Sequence, residues 1–226
     1  VGNVVNPWEM TIQHEVDLTI ELIAGWNWIS LNVLPADPSI GSVLGGLGVD
    51  ALFINSQTGG SSTNYEIYGG GWVGGLTAFV PGAMYLLKMD AAATLVVTGD
   101  PVDVATTPID LIAGWNWLGY LPQSPGDVGV ALESLGVDAI FINSQAGGSS
   151  TNYAMYGGGW VGGLATLVPG IGYLLKMEAD AEFYYPEFDG MARLSNNVQK
   201  VVLSNTISDW DFNYADYEFI GNITAS

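Results

Sequence analysis

Apolar and polar residues alternate one by one from position 10 to position 20, a period of two that predicts a half-buried β-strand. Gly25 follows near a turn, and residues 26–33 are predicted to return as the second strand of a hairpin. The second half of the chain repeats this arrangement around Gly114, with residues 115–121 as the returning strand. The chain therefore opens each half with a predicted β-hairpin.

A change of period after these strands predicts one short amphipathic helix in each half. Asp37 precedes Pro38, and Ser124 precedes Pro125, an order typical of a capping residue followed by the first helical position. Apolar residues then recur at helical spacing. They are Ile40, Val43, Leu44 and Leu47 in the first half, and Val128, Ala131, Leu132 and Leu135 in the second.

Beyond the helix the pattern returns to short apolar runs, which glycine and serine clusters separate. The runs predicted as strands are 51–54, 65–68, 84–89 and 95–97. Short strands at this spacing, with one helix per unit, are typical of small β folds. The sequence therefore predicts a mainly β protein: two homologous compact β-rich modules, each a sandwich or partly closed barrel with one short helix, plus terminal strands.

The chain is duplicated. Residues 47–89 recur 88 positions later as residues 135–177, and nine of these 43 positions differ. Such a period indicates a repeated folding unit of about 85 residues. The predicted division is an N-terminal strand segment 1–17, a first module 18–99, a linker 100–108, a second module 109–186, and a C-terminal extension 187–226 that ends in a strand-like alternation.

Composition excludes several classes of partner and chemistry. The 226 residues carry a formal net charge of -19, which repels nucleic acid and anionic lipid surfaces. No apolar run approaches the roughly 18 residues that span a bilayer, so membrane insertion is not expected. The absence of cysteine excludes disulfides and thiolate chemistry. Val1 is not an initiator, and we expect the chain to be processed or excised from a longer one.

The residue types that carry catalysis are sparse. His14, the single imidazole, shares a strand face with apolar residues and is interpreted as a packed or edge residue. Glu66 is replaced by Ala154 in the second copy, so a carboxylate pair is not duplicated. We therefore predict no enzyme activity, no catalytic residue, no metal site and no cofactor. Bound calcium and lysine crosslinks to asparagine or aspartate are left open.

A duplicated set of aromatic and amide side chains forms the candidate ligand site. Its members are Asn55, Gln57, Tyr65 and Trp72, with Asn143, Gln145, Tyr153 and Trp160 as counterparts. Aromatic rings can stack on sugars while amides bond their hydroxyl groups, and two sites would add avidity. The alternative is that Trp72 and Trp160 seal each core while the amides brace the glycine loops. Tryptophans 26, 28, 115 and 117 are interpreted as core residues.

Several of these strings resemble a known repeat module. GWNWIS from Gly25, GWVG from Gly71 and PGAMYLLKM from Pro81 are similar to a module of large secreted and cell-surface bacterial proteins of the Bacteroidetes type, and the second copy matches through PGIGYLLKM from Pro169. Residues 188–192 and 216–219 resemble the opening of a different module that tends to follow it. The resemblance implies an extracellular, non-catalytic building block and supplies no ligand residues.

Two hypotheses of function follow. The first is a structural or adhesive segment of a bacterial extracellular or cell-surface protein, with a filament subunit as one form. Its partners would be copies of itself or neighbouring modules, engaged through the terminal strands. The second is a tandem carbohydrate-binding module with glycans as partners.

Overall fold

A computed structural model of the protein describes residues 15–188. This part of the chain is mainly β, with short helices and antiparallel sheets, which confirms the predicted fold class. The predicted strand residues 10–14, with His14, and the C-terminal extension from residue 189 onward lie outside the described residues.

The first half of the described chain contains the helix α1 and the strands β1 to β8. Their bounds are β1 Val16–Leu22, β2 Gly25–Ser30, β3 Val33–Leu34, α1 Ile40–Leu44, β4 Ala51–Ser56, β5 Ser61–Asn64, β6 Trp72–Gly74, β7 Met84–Met89 and β8 Ala93–Pro101. Two 3-10 helical segments lie at Gly45–Asp50 and Glu66–Tyr68.

The second half repeats most of this order. Its elements are β9 Ile109–Leu111, β10 Gly114–Gly119, β11 Gly126–Asp127, α2 Val128–Ala131, β12 Ala139–Ser144, β13 Ser149–Asn152, β14 Trp160–Gly162, β15 Thr166–Leu167, β16 Gly172–Met177 and β17 Ala181–Phe183. The 3-10 segments here are Glu133–Leu135 and Ala154–Tyr156.

Each half builds a five-stranded antiparallel sheet with the same strand order. The first is β2-β7-β4-β5-β6 and the second is β10-β16-β12-β13-β14. Their registers also match, because Trp26 pairs with Lys88 in one sheet and Trp115 pairs with Lys176 in the other. The strands β1, β8 and β3 form a separate sheet, as do β9 with β17 and β11 with β15.

The predicted hairpins around Gly25 and Gly114 are both wrong. β1 pairs with β8 and β2 pairs with β7, so the two strands belong to different sheets and meet at a corner. The side chain of Asn27 holds this corner: its Oδ1 accepts the Ile23 N–H at 2.9 Å, and its Nδ2 donates to the Ile23 carbonyl at 2.8 Å. In the second half β9 pairs with β17 and β10 pairs with β16, again in different sheets. Local alternation predicts a strand but cannot reveal which strand it pairs with.

The apolar side of β1 contributes to a core that the first half builds from its own residues. Leu18, Ile20 and Leu22 are buried with Leu44 and Leu87, while the intervening side chains of β1 are exposed. A second core of matching composition comes from the second half. This alternation is the expected signature of a strand with one wet face.

Both predicted helices are present, but their caps differ from the prediction. In the first, Ser39 is the N-cap and its side chain accepts the Ser42 N–H, while Asp37 accepts the Ser39 N–H. In the second, Asp127 is the N-cap and accepts from Gly129 and Val130. The capping residues therefore follow the prolines, since each proline lies in the approach to the helix.

The run 65–68 is not a strand. It begins at Tyr65 and turns through the 3-10 segment Glu66–Tyr68, which Gly69 ends in a left-handed conformation (φ 76°). The side chain of Asn64 fixes the turn, because its Oδ1 accepts the Glu66 N–H at 3.0 Å while its Nδ2 donates to the carbonyls of Gly48 and Ala51. Asn152 makes the same contacts in the second half.

The segment 100–108, predicted as a linker, begins inside β8, which extends to Pro101. Val102 and Val104 are then buried in the second core. The N-terminal boundary behaves similarly, since β1 starts at Val16 and includes Asp17. The division into two modules stays a prediction, and the described residues belong to one compact unit.

Candidate functional site

The four predicted ligand residues of each half separate into two pairs. Asn55 lies opposite Ser61 at one end of β5, and Trp72 lies opposite Asn64 at the other. Three residues of strand span roughly 10 Å, which places Asn55 and Gln57 at the opposite end of β5 from Tyr65 and Trp72. Asn143 and Trp160 have the same register in the second half.

Gln57 and Gln145 are engaged in a reciprocal contact between the halves. Gln57 donates from Nε2 to the Trp115 carbonyl at 2.7 Å and accepts the Trp117 N–H at 2.6 Å. Gln145 likewise bonds the Trp26 carbonyl and accepts the Trp28 N–H at 2.8 Å. Each amide therefore occupies the free backbone edge of the other half's outer strand, as a neighbouring strand would.

The backbone joins the halves with the same reciprocity. The Ser30 N–H donates to the Gly170 carbonyl at 3.1 Å, and the Gly119 N–H donates to the Gly82 carbonyl at 2.8 Å. Gly82 has φ +79°, and a Cβ there would lie 2.7 Å from Ile109, whereas the equivalent Cβ on Gly170 would lie 2.9 Å from Ile20. The second residue of each Pro-Gly turn is therefore glycine, because the first strand of the other half packs against that position.

Trp72 and Trp160 pack against the cores. Both indoles are partly buried, and each belongs to the residues that contact its half's apolar cluster. Trp72 also covers the start of α1, since a Cβ on Gly41 would lie 3.8 Å from its Cδ1. The position of each indole favours the core-sealing alternative.

Tyr65 and Tyr68 lie at the exposed end of the first sheet. Tyr68 is 82% exposed, and its ring centroid lies 6.5 Å from that of Tyr65. The counterpart Tyr156 is 81% exposed. Since the turn that carries these rings is braced by backbone bonds from Tyr65 to Gly71 and Gly70, the rings project from a fixed loop.

The interpretation of tryptophans 26, 28, 115 and 117 as core residues is wrong. On β2 the inward positions are Asn27 and Ile29, which are buried, whereas Trp26 is 44% exposed. Trp115 is 47% exposed on β10. The alternation is read correctly from sequence, but the inward face is the one that carries asparagine, because Asn27 satisfies its polar atoms on the corner backbone.

The outward side chains of β2, β7 and β4 form a continuous surface, which we call the tryptophan face. Antiparallel partners share a side of the sheet, so the register defines its members. They are Trp26, Trp28, Phe53, Asn55, Leu86 and Lys88 in the first half, and Trp115, Trp117, Phe141, Asn143, Leu174 and Lys176 in the second.

The first row of this face is a packed cluster around a lysine. The Lys88 Nζ lies 5.7 Å from the Trp26 ring centroid, and Phe53 approaches the same indole edge-on with centroids 6.0 Å apart. In the second half Lys176 lies 5.9 Å from Trp115, and Phe141 lies 6.0 Å away. Neither lysine forms an ion pair with any residue in the range 15–188.

The second row places Trp28, Leu86 and Asn55 side by side across three strands. Within the described range, the Asn55 side chain makes no hydrogen bond, and the same holds for Asn143. Both amides are only partly buried, so their donors and acceptors are available to a ligand. Among the predicted ligand residues, these two therefore differ from Gln57 and Gln145, whose amides are occupied.

The two tryptophan faces meet at one end. Met84 follows the same alternation as Leu86 and Lys88, and Gly172 is its counterpart; a Cβ built on Gly172 would overlap the Met84 side chain. Met84 and Gly172 are one of the nine pairs that differ between the copies. At the other end of each face, Lys88 and Lys176 are exposed to solvent.

Buried tyrosines are the groups whose pKa values change most within the described residues. Burial raises the pKa of Tyr173 to about 12, and it raises the pKa of Tyr85 in the equivalent position. The oxygen of Tyr85 accepts the Val80 N–H at 2.6 Å, and that of Tyr173 accepts the Val168 N–H at 2.8 Å. These hydroxyls stabilise the loops that contain Val80 and Val168. In residues 15–188 no group of three His, Asp or Glu side chains is placed to hold a metal ion.

Comparison with known proteins gives no match: no family model, no curated protein and no solved structure is significantly similar to this chain. Within residues 15–188 no helix is long and apolar enough to cross a lipid bilayer. The geometry of the chain itself is therefore the basis for a functional proposal.

Proposed function

We propose that this chain is a non-catalytic structural or adhesive segment of a bacterial extracellular or cell-surface protein. The observation that carries the proposal is the reciprocal pairing of Gln57 and Gln145 with the outer strand of the opposite half. Duplicated polar side chains are used here to join two copies of one unit. Such use of polar groups is expected of a spacer whose role depends on a fixed shape.

The contacts between the halves also protect the sheet edges. An outer strand presents unpaired N–H and C=O groups that can recruit another chain. In this protein the free edges of β2 and β10 are occupied by glutamine amides and by the turns that contain Gly82 and Gly170. Assembly of a filament would then use other strands, and the alternating sequences at the two termini are the candidates.

Deleting the terminal segments tests the filament form of this proposal. Residues 1–14 and 189–226 are removed singly and together, which leaves β1 and the two cores intact. Assembly of the full chain and of the three deletions is compared by negative-stain electron microscopy and light scattering, and folding by circular dichroism. We expect the full chain to assemble and the deletions to stay folded but unassembled. Normal assembly after both deletions, or none by the full chain, would reject the filament form.

Extracellular placement has its own test. Protease treatment of intact bacterial cells that produce the full-length parent protein should release peptides from this chain. If the same peptides appear only after the cells are lysed, the proposed location is wrong.

A tandem carbohydrate-binding module is the second candidate. The observation that favours it is the exposed Tyr65 and Tyr68 pair, with Tyr153 and Tyr156 as counterparts. A glycan array is probed with the full chain and with a Tyr65→Ala and Tyr153→Ala double variant. Binding that the double variant loses would support this candidate. No binding, or binding that these variants and Trp72→Ala with Trp160→Ala leave unchanged, would contradict it.

A further inference from the structure

We infer that the tryptophan faces bind an acidic polysaccharide, whose carboxylates contact Lys88 and Lys176 while its sugar rings contact Trp26 and Trp115. This inference concerns a different surface from the exposed tyrosines. It does not depend on assembly through the terminal strands.

Charge indicates an acidic ligand. The chain has four basic residues against 23 acidic ones, and both basic residues within the described range, Lys88 and Lys176, lie on the tryptophan faces. Neither is neutralised by a carboxylate of that range. The other charged side chains of residues 15–188 are carboxylates, whereas on the tryptophan faces an anionic group meets an unpaired ammonium group that lies over an aromatic ring.

The aromatic and amide groups indicate sugar rings. An exposed indole offers a flat apolar plate for the C–H faces of a pyranose. Asn55 supplies a free amide donor and acceptor one row away from Lys88, because Asn55 pairs with Leu86 and Phe53 pairs with Lys88 along the same strands. A sugar ring that carries both hydroxyl groups and a carboxylate therefore matches the order of indole, ammonium group and amide on this face.

The occupied strand edge argues against a peptide ligand. Extended peptides commonly bind sheets by adding a strand to a free edge. The edge of β2 beside Trp26 and Trp28 is already bonded by Gln145, and β7 and β4 are internal strands of the sheet. A ligand of this face must therefore bind through side chains alone, which a polysaccharide does.

The duplication indicates a polymer. One exposed ion pair contributes little, about 1 kcal/mol or less, so a single sugar would bind weakly. The two faces meet at Met84 and Gly172, and each repeats the same side chains. A polysaccharide that engages both faces gains effective concentration at the second one, which can raise the apparent affinity by factors of about 100 or more.

Calorimetry with three polymers tests the inference. The full chain is titrated with polygalacturonate, with fully methyl-esterified polygalacturonate, which lacks the charge, and with poly-L-glutamate, which lacks the sugar. We expect polygalacturonate to bind most tightly and its affinity to fall as salt increases. The Lys88→Gln and Lys176→Gln double variant should bind about tenfold or more weakly, and so should Trp26→Ala with Trp115→Ala.

Two matched variants act as controls. Lys88→Arg with Lys176→Arg keeps the charge and should keep most of the binding. Val49→Ala with Val137→Ala changes exposed side chains outside the tryptophan faces and outside the exposed tyrosine pairs, and it should leave binding unchanged. Thermal unfolding of every variant, followed by circular dichroism, checks that the fold is retained.

Four outcomes would overturn the inference: no binding of polygalacturonate, equal binding of its methyl ester, equal binding of poly-L-glutamate, or unchanged binding by folded lysine and tryptophan variants. None of these would affect the deletion experiment on the terminal segments. Loss of assembly and loss of polysaccharide binding are therefore distinguishable.

Discussion

At the scale of single residues, chemically similar amide side chains bind different partners, because each bonds the backbone groups that the fold leaves unpaired beside it. Asn27 bonds the backbone of its own corner, Asn64 bonds a loop in the same half, and Gln57 bonds the opposite half. The side chain of Asn55 forms no hydrogen bond with a described residue. The sequence shows four amides in β-rich surroundings, but their partners depend on which backbone groups the fold leaves open.

The corner amide should be important for stability. Asn27→Ala removes three hydrogen bonds and leaves the Ile23 N–H and carbonyl without this partner, so we expect the free energy of unfolding to fall by about 1–3 kcal/mol. Urea titration followed by tryptophan fluorescence measures the change. Asn55→Ala is the control and should change stability by less than about 0.5 kcal/mol. Equal effects of the two substitutions would contradict the assigned role of Asn27.

The buried tyrosines predict a loss of stability at alkaline pH. Folding raises the pKa of Tyr173 from about 10 to about 12, so the folded state favours the protonated hydroxyl. This stabilisation is complete below pH 10 and is lost as the pH rises through 12, with a slope of up to about 1.4 kcal/mol per pH unit for this residue. Urea titrations at pH values from about 9 to about 12 measure this loss of unfolding free energy. Tyr173→Phe should reduce the slope, because the other buried tyrosines still contribute, and an unchanged slope would contradict the prediction.

At the scale of elements, the starts of β7 and β16 decide how closely the halves approach. Met84 is buried, and the facing position is Gly172, which has no side chain. A large residue on both sides would overlap, and a small residue on both sides would leave a void. The difference between the copies at this pair therefore has a steric reason.

A double-mutant cycle tests this complementarity. Gly172→Ala should lower the free energy of unfolding by about 1–3 kcal/mol, because the new methyl group displaces Met84. In a Met84→Ala background the same substitution should cost at least about 1 kcal/mol less, since the space is then free. Chemical denaturation of the four proteins gives the coupling energy. A coupling near zero would show that the contact does not limit the approach.

At the scale of the whole molecule, two cores are joined by backbone bonds, turns and amides that each half supplies to the other. Repeats of one unit can unfold separately when their contacts are weak. Here the outer strand of each sheet is completed by the opposite half, so loss of one half exposes the other.

We therefore expect a single cooperative unfolding transition. Differential scanning calorimetry should give a calorimetric enthalpy close to the van't Hoff enthalpy for the full chain. Gln57→Ala combined with Gln145→Ala removes the reciprocal amide bonds and should broaden or split the transition. Two transitions in the unsubstituted chain would contradict this coupling, and a single sharp one in the double variant would show that the glutamines do not supply it.

Much of the fold could be predicted from the chain because its information is local. The alternation of β1, the helical spacing at Ile40 and the glycine-separated runs each report on a few neighbouring residues, and the mainly β class followed from them. The run at Tyr65 was misassigned because apolar side chains at a turn resemble a short strand when the brace from Asn64 is not known.

The candidate site was only partly predictable for the same reason. The side chains of Asn55 and Asn143 are partly exposed and form no hydrogen bond with a described residue, whereas Gln57 and Gln145 are occupied by partners about 60 and 120 residues away in sequence. Tryptophans 26 and 115 were predicted to be core residues, and that prediction is wrong. An alternating pattern identifies the two faces of a strand but does not indicate which face is buried.

The sequence by itself determined the duplication, the mainly β fold and the acidic net charge, since each depends on composition or local period. The tertiary structure alone decided which strands pair, which face of β2 meets the core and where the two copies touch. Those choices depend on side chains far apart in the chain, such as Gln145 with Trp28 and Met84 with Gly172, whose contact exists only after the chain has folded.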